Sequence, residues 1–288
     1  MIAIIYEGLK TEPQLFKNIA QQFFKDHNFT EIALEAAYGG NLFDFFKSIS
    51  LDEDMDIISQ IQDHINKNFS ESQKKQFKNF LSKSRDDFQG VYLFFDFDLH
   101  HDLYNCQEKP PLTIEMLKVK LDILKTLLSY FNNETEHGKL YINYPMAESI
   151  KDLNSANSCT IRCTENIANF ISYKNILNST SQYFLNVRRY TFSTWSHFAK
   201  HAAQKANCIV NGEYKFPTYN EFINTLTQKN LFDRQEILAL DDNQTFIINS
   251  IPLFLVEYFG EKCWLENGLL TYNNKNFSLR STINCPKH

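Results

Sequence analysis

The chain has 288 residues, of which 43% are hydrophobic and 22% are charged, as in an ordinary globular protein with one large domain or two modest ones. Its formal net charge of -5 excludes a global positive field that would attract a polyanion. A nucleic-acid partner would therefore require a locally basic surface or bound metal ions. No apolar run approaches the roughly 18 residues of a membrane span, and the N-terminus turns polar at Glu7. We therefore expect a cytoplasmic protein without a signal peptide or a membrane partner, with its thiols mostly reduced.

The first 50 residues alternate strand and helix patterns. The apolar run from Ile2 to Tyr6 predicts a buried strand. Thr11-Glu12-Pro13 and the apolar residues that follow at helical spacing predict a helix, since threonine can cap it and proline is tolerated in its first turn. A weaker strand pattern runs from about residue 31 to residue 38. A second helix is predicted from Leu42 to Ser48.

The strongest strand signal lies further along the chain. Residues 51–85 are charged and favour helices, and they precede the apolar run from Val91 to Phe95. A long amphipathic helix is predicted from about Ile114 to Phe131, and the next strand spans Leu140 to Ile142. This alternation predicts an α/β domain over residues 1–150, with a mainly parallel sheet and right-handed crossovers.

The second half of the chain has few strand signals. Helical periodicity returns around residues 195–207, 218–229 and 245–259. We therefore predict a mostly helical region over residues 151–288, available to bind nucleic acid or a protein partner.

Acidic residues follow three of the predicted strands. Glu7 ends the first strand, Asp96 and Asp98 end the strongest one, and Glu148 follows the third. Functional groups of open parallel sheets collect beyond the carboxyl ends of the strands, so these four acids are expected to meet. Carboxylates suit Mg²⁺ or Mn²⁺, which can activate water and offset charge during phosphodiester hydrolysis. The alternative is that each acid is only a solvated strand end.

A basic and aromatic stretch forms a second candidate site. From Ile167 through Gly212 the sequence contains no Asp or Glu. Cations neutralise phosphates and exposed aromatic rings stack on bases, which would suit a nucleic-acid surface. The candidate residues are Arg188, Arg189, His197, Lys200, His201 and Lys205. Lys200 or Lys205 could also act in catalysis by offsetting transition-state charge. The alternative is an ordinary solvated helix face with Trp195 and Phe198 in the core.

Three motifs resemble those of a known group of enzymes. Ile4-Ile5-Tyr6-Glu7-Gly8, followed by Lys10-Thr11-Glu12-Pro13, resembles the EG-x-x-TE signature of TOPRIM nucleases of the RloB-like and OLD-like kind. Phe94-Phe95-Asp96-Phe97-Asp98 is similar to their D-x-D motif. Pro145-Met146-Ala147-Glu148-Ser149 is similar to a later segment in which several of them carry a further acid. The resemblance covers roughly the first half of the chain.

The resemblance implies a TOPRIM-like Rossmannoid domain followed by the helical region. Glu7 would be the general acid or base and a metal ligand, Asp96 and Asp98 would bind Mg²⁺ or Mn²⁺, and Glu148 would be an auxiliary acid. The implied function is a nuclease acting on DNA or RNA, an abortive-infection effector of antiviral defence.

The resemblance also implies a partner. Related nucleases work with ABC-type ATPases, as in PARIS-type systems, and this sequence has no G-x-x-x-x-G-K-[ST] motif of its own. We therefore expect any ATPase to be encoded separately. The alternative is an inactive TOPRIM-like module that docks to an ATPase or to nucleic acid, and a homo-oligomer is left open in either case.

Overall fold

The protein is described from a computed structural model. The structure describes residues 1–23, 33–97, 99, 112–154, 164–180 and 186–259. Its centre is a five-stranded sheet in the order β2-β1-β3-β5-β4. The strands are β1 (Ile2–Tyr6), β2 (Ala33–Ala37), β3 (Gly90–Asp96), β4 (Asn132–Asn133) and β5 (Gly138–Asn143). Four strands run parallel, and only β4 is antiparallel to its neighbour β5.

Helices connect and surround these strands. In the first half they are α1 (Thr11–Phe23), α2 (Leu42–Ser48), α3 (Ile57–Asn68), α4 (Glu71–Lys74), α5 (Lys78–Leu81) and α6 (Ile114–Tyr130). In the second half they are α7 (Phe170–Thr180), α8 (Phe192–Asn211), α9 (Tyr219–Thr225), α10 (Gln228–Asp242) and α11 (Ser250–Phe259). A small antiparallel pair joins β6 (Thr164–Asn166) to β7 (Gln244–Phe246). The predicted α/β class with a mainly parallel sheet is confirmed, and the architecture is compatible with a Rossmannoid fold.

The central strands are buried on both faces. All five side chains of β1 and the first six of β3 are buried, as expected for unbroken apolar runs in a parallel sheet. The register places Tyr6 opposite Phe94 and Asp96 opposite Asn143. The carboxyl ends of β1, β3 and β5 therefore lie side by side.

The helices of the second half pack against the first half. Helix α11 contacts β5 and α8, and α10 contacts α6. One hydrophobic core contains buried residues from Ile2 to Val256. The predicted division at residue 150 stays a prediction, but the two sides of it share this core. None of the helices in the described ranges is both long and apolar enough to cross a membrane.

Most predicted elements are confirmed, and the differences lie in the second half. The sequence predicts β1 and α2 with their observed bounds, and α8 extends beyond the predicted 195–207 at both ends. The pattern over residues 218–229 corresponds to α9. Helix α10 is not predicted beyond residue 229, because it buries few large apolar residues and includes Gln228 and Gln235 on its buried side. The segment predicted as helix over residues 245–259 begins with β7, which pairs with a distant strand.

Candidate acidic site at the carboxyl edge of the sheet

Glu7 reaches from the end of β1 across the end of β3. Its backbone N–H donates to the carbonyl of Phe94 at 3.0 Å, which extends the pairing of the two strands by one residue. Its carboxylate Oε2 accepts a hydrogen bond from the backbone N–H of Asp96 at 2.9 Å. The strand register therefore fixes the Glu7 carboxylate beside Asp96.

Asp96 is held from the opposite side by β5 and the turn after it. Its Oδ1 atom accepts hydrogen bonds from Asn143 Nδ2 at 3.1 Å and from the backbone N–H of Ala147 at 2.8 Å. Asn143 is fully buried. One donor lies in the neighbouring strand β5 and the other in the turn that follows it. The sheet topology therefore determines both the position and the orientation of the Asp96 carboxylate.

Glu148 joins the same edge from the 3₁₀ helix Ala147–Asn154. Its Oε1 accepts a hydrogen bond from Thr11 Oγ1 at 3.1 Å and forms an ion pair with Lys174 Nζ at 3.0 Å. The Glu148 side chain is only 8% exposed, so these partners offset its loss of hydration. The contacts connect the start of α1 and helix α7 to the sheet edge.

Glu12 is a fourth carboxylate at this edge, and the sequence reasoning did not select it. It lies in the first turn of α1, is buried, and accepts a hydrogen bond from the Gly8 N–H through Oε1 at 3.0 Å. A Cβ atom at position 8 would lie 2.7 Å from Glu12 Oε2. Gly8 therefore permits the close approach of this carboxylate to the turn after β1.

The four carboxylates interact electrostatically. Burial raises the pKa of the Asp96 carboxyl well above its usual value, and the charges of Glu7, Glu12 and Glu148 raise it further. Burial also raises the pKa of Glu12, where the Gly8 hydrogen bond and Lys174 act in the opposite direction. Like charges in a poorly hydrated site disfavour ionisation, so protonation or a nearby cation must relieve this cluster.

Two lysines supply positive charge beside these acids. Burial lowers the pKa of Lys174, but Glu148, Asp96 and Glu12 outweigh it and the net shift is upward. Burial lowers the pKa of Lys151, which also interacts with Glu148. Lys174 therefore lies beside the acidic site, and the expected catalytic role of Lys200 or Lys205 stays a prediction.

The chemistry of the acidic cluster fits a hard divalent cation, since carboxylate oxygens are the ligands that Mg²⁺ and Mn²⁺ prefer. As placed, however, the described residues contain no group of three or more His, Cys, Asp or Glu side chains that could hold a metal ion. Asp98, the second acid of the D-x-D motif, lies outside the described residues. The structure therefore brings Glu7, Asp96 and Glu148 to one edge, and their role as metal ligands remains a proposal.

The predicted nucleic-acid surface separates into exposed and enclosed parts. Arg188 and Arg189 are exposed, in the 3₁₀ turn Val187–Arg189. Lys205 is only 3% exposed, which corrects its placement on a solvent-facing surface, because α8 turns this position inward. Lys200 and His197 are partly buried.

The histidines of α8 contribute little positive charge at neutral pH. Burial lowers the pKa of His201 to about 4, and His197 and the neighbouring lysines lower it in the same direction. Burial also lowers the pKa of His197. The His201 ring nitrogen Nδ1 lies 3.0 Å from the hydroxyl of Tyr214. A neutral histidine carries no charge to attract phosphate, and the roles of His197 and His201 in binding nucleic acid stay predictions.

The aromatic residues of the basic stretch belong to the core. Trp195 and Phe198 are fully buried, and Trp195 Nε1 donates to Asn18 Oδ1 of α1 at 2.7 Å. The alternative that Trp195 and Phe198 belong to the core is therefore confirmed, and these two rings are not available to stack on bases.

Two features of the acidic site were missed for different reasons. Glu12 stands inside the EG-x-x-TE motif, so the motif itself could have identified it. Lys174 lies 26 residues beyond Glu148 in the chain, and no spacing rule connects the two.

Comparisons of the chain with protein-family models, curated proteins and solved structures find no match.

Proposed function

We propose that the chain is a TOPRIM-like nuclease that hydrolyses phosphodiester bonds of DNA or RNA with a divalent metal ion. The observation that carries the proposal is the meeting of Glu7, Glu12, Asp96 and Glu148 at the carboxyl ends of adjacent parallel strands. Burial raises the pKa of Asp96, and repulsion by the other three acids raises it further. Like charges in such a cluster disfavour ionisation, and strongly perturbed acids of this kind occur often at functional sites.

Each residue has a definite part in the proposed reaction. A bound Mg²⁺ or Mn²⁺ would polarise the phosphate and lower the pKa of a water molecule. Asp96, Asp98 and Glu148 would hold the ion. Glu7, fixed through Oε2 by the Asp96 N–H, would accept a proton from the attacking water. Lys174 would offset negative charge on the phosphate.

The cellular role follows from the motif resemblance. We propose an effector of antiviral defence whose nuclease activity is released by a separately encoded ABC-type ATPase. The exposed Arg188 and Arg189 are the residues of the basic stretch best placed to meet a nucleic-acid backbone.

The proposal is tested with Glu7→Gln. The amide keeps an oxygen that can accept from the Asp96 N–H but removes the charge and the base. The matched control is Glu71→Gln, because the Glu71 side chain is 83% exposed and pairs only with the neighbouring Lys74 among the ion pairs described. Wild type and both variants are expressed with and without a neighbouring ATPase, and cleaved nucleic acid is measured in cells and with purified full-length protein in Mn²⁺.

We expect Glu7→Gln to lose cleavage by about 100-fold or more, the usual contribution of a general acid or base, while Glu71→Gln cleaves like wild type. Equal cleavage by Glu7→Gln and Glu71→Gln would refute the site. Thermal unfolding of both variants checks that the fold is kept.

A second function is an assembly module without catalysis. The observation that favours it is that, among the described residues, no three His, Cys, Asp or Glu side chains are placed so that they could hold one metal ion. The cluster would then serve to fasten α1, α7 and the sheet edge through Thr11, Glu148 and Lys174. Calorimetry with Mn²⁺ separates the two functions, since a purely assembling module binds no Mn²⁺ and Asp96→Ala does not change the result.

A further inference from the structure

The side chain of Asn143 lies between the acidic site and the start of the C-terminal helix. Its Nδ2 donates to Asp96 Oδ1 at 3.1 Å. Its Oδ1 accepts from the backbone N–H of Ser250 at 3.1 Å and from Ser250 Oγ at 2.8 Å. Asn143 and Ser250 are both fully buried, so solvent does not compete for the two hydrogen bonds between them.

The partners of Asn143 allow only one orientation of its amide. Ser250 presents two donors, an N–H and an O–H, and these require the carbonyl oxygen of the amide. The NH₂ group then faces Asp96, which as a carboxylate offers only acceptors. Reversal of the amide would place its NH₂ group against the two donors of Ser250 and its oxygen against the Asp96 carboxylate. Buried polar groups would then be left without partners, which is unfavourable.

The segment that carries Ser250 is itself fastened to the turn after β5. Tyr144 and Ile248 exchange two backbone hydrogen bonds, each of 2.8 Å. Asn249 Nδ2 donates to the carbonyl of Ala147 at 2.8 Å. Ala147 is the residue whose N–H provides the second bond to Asp96 Oδ1. Both described donors to this oxygen therefore depend on residues 248–250.

We propose that Asn143 and Ser250 are positioning residues that set the direction of the Asp96 carboxylate, and that the start of α11 thereby belongs to the active site. This inference rests on the proposed function. The Asn143 amide and the Ala147 N–H hold Asp96 Oδ1 on the β5 side, while Glu7 accepts from the Asp96 backbone N–H on the β1 side. The Ser250–Asn143 pair thereby fixes the direction of the Asp96 carboxyl group within the site.

The hydrogen bonds themselves are tested by NMR of the full-length protein without metal. We expect the Asn143 side-chain amide protons to be protected from exchange, and to shift in both Asp96→Ala and Ser250→Ala. The control is Ser172→Ala, an exposed serine that bonds a backbone carbonyl of its own turn, and it leaves these resonances in place. Asn143 amide resonances that do not respond to Asp96→Ala would overturn the inference, and this comparison decides the matter even if Ser250→Ala fails to fold.

The effect on the site is tested with Mn²⁺ alone and with cleavage rates. Asn143→Asp keeps the side-chain shape and the acceptor for Ser250, but it removes the donor to Asp96 and adds a negative charge. Groups that hydrogen-bond a ligating carboxylate change metal affinity or activity by about 10–100-fold. We expect a loss of that size in kcat with little change in the KM for nucleic acid.

The two proposals fail in different ways. If Asp96→Ala binds Mn²⁺ as wild type does, the proposed metal site is wrong, while the amide resonances still decide how Asp96 is oriented. If Asp96→Ala loses Mn²⁺ binding but Asn143→Asp and Ser250→Ala keep wild-type affinity and kcat, the metal site stands and the positioning role is wrong.

Discussion

The acidic edge of the sheet and the basic stretch around α8 are both predicted from patterns of charged residues in the sequence. The acids come together in the structure, whereas the basic residues divide into exposed and buried positions. At the sheet edge, Glu7, Asp96 and Glu148 meet, and Glu12 and Lys174 join them. In the basic stretch, Arg188 and Arg189 are exposed, whereas Lys205 is buried.

The difference follows from what each pattern determines. Neighbouring parallel strands have their carboxyl ends at the same edge of the sheet. The sheet topology therefore determines where an acid that follows each strand will lie. Helical spacing places His197, His201 and Lys205 on one face of α8, but it does not decide whether that face meets solvent or protein. Here the surrounding elements enclose much of it, and burial lowers the pKa of both histidines.

The largest expected effect belongs to Asp96→Asn, which should abolish activity and yet stabilise the protein without metal. Burial and the neighbouring acids raise the pKa of Asp96 above its unfolded value. The folded state then keeps a proton that the unfolded state releases, so stability falls as pH rises above about 4. The asparagine retains an oxygen for Asn143 and Ala147 but carries no charge.

We expect Asp96→Asn to lose cleavage by about 100-fold or more, and its Tm to exceed that of wild type by more as the pH rises above about 4. Thermal unfolding in a metal chelator measures the second effect, with Asp54→Asn at an exposed position as the control. A lower Tm for Asp96→Asn at every pH would contradict the repulsion at the acidic edge.

Lys174→Met should have the next largest effect. It removes the cation that pairs with Glu148 at 3.0 Å and that lowers the pKa of Glu12. We expect cleavage to fall about tenfold and its pH profile to move to higher pH, because the acids become harder to ionise. Lys200→Met serves as the comparison, and an equal loss in both variants would show that proximity to Glu148 is not the cause.

The sequence could predict the backbone of the acidic site but not its supporting contacts. Glu7 and Asp96 stand at the ends of apolar strand patterns, so a parallel sheet is expected to bring them close together. Ser250 lies 107 residues beyond Asn143, and Glu148 lies 137 residues beyond Thr11. The Asn143–Ser250 contact depends on how the second half packs on the first, and the Thr11–Glu148 contact depends on how the 3₁₀ helix Ala147–Asn154 packs on α1. No local period in the sequence encodes either packing. The burial of Lys205 has the same origin.

His201→Gln should have a smaller effect, limited to acid conditions. Burial lowers the pKa of His201 to about 4. Between about pH 6.5 and pH 4 this histidine is therefore protonated in the unfolded state but neutral in the folded state. Stability from this group is complete above pH 6.5 and is lost as pH falls toward 4, by about 1–3 kcal/mol. Chemical denaturation at pH 5 and pH 8 measures it. The variant should lose less stability than wild type between these values, and an equal loss would contradict the enclosed, neutral histidine.

The smallest expected effect is on nucleic-acid affinity in the double variant Arg188→Ala/Arg189→Ala. Both side chains are exposed, and each phosphate contact contributes about 0.9 to the slope of log affinity against log salt. We expect binding to weaken by about three- to tenfold at moderate salt and the slope to fall by about one to two. The matched control is Lys75→Ala/Lys78→Ala, which removes the same charge from exposed positions between β2 and β3. If both double variants lose the same affinity, only net charge matters, and the exposed arginines do not form a specific contact surface. If only the arginine variant loses it, these two residues are the part of the basic stretch that meets the backbone, in contrast to the enclosed face of α8.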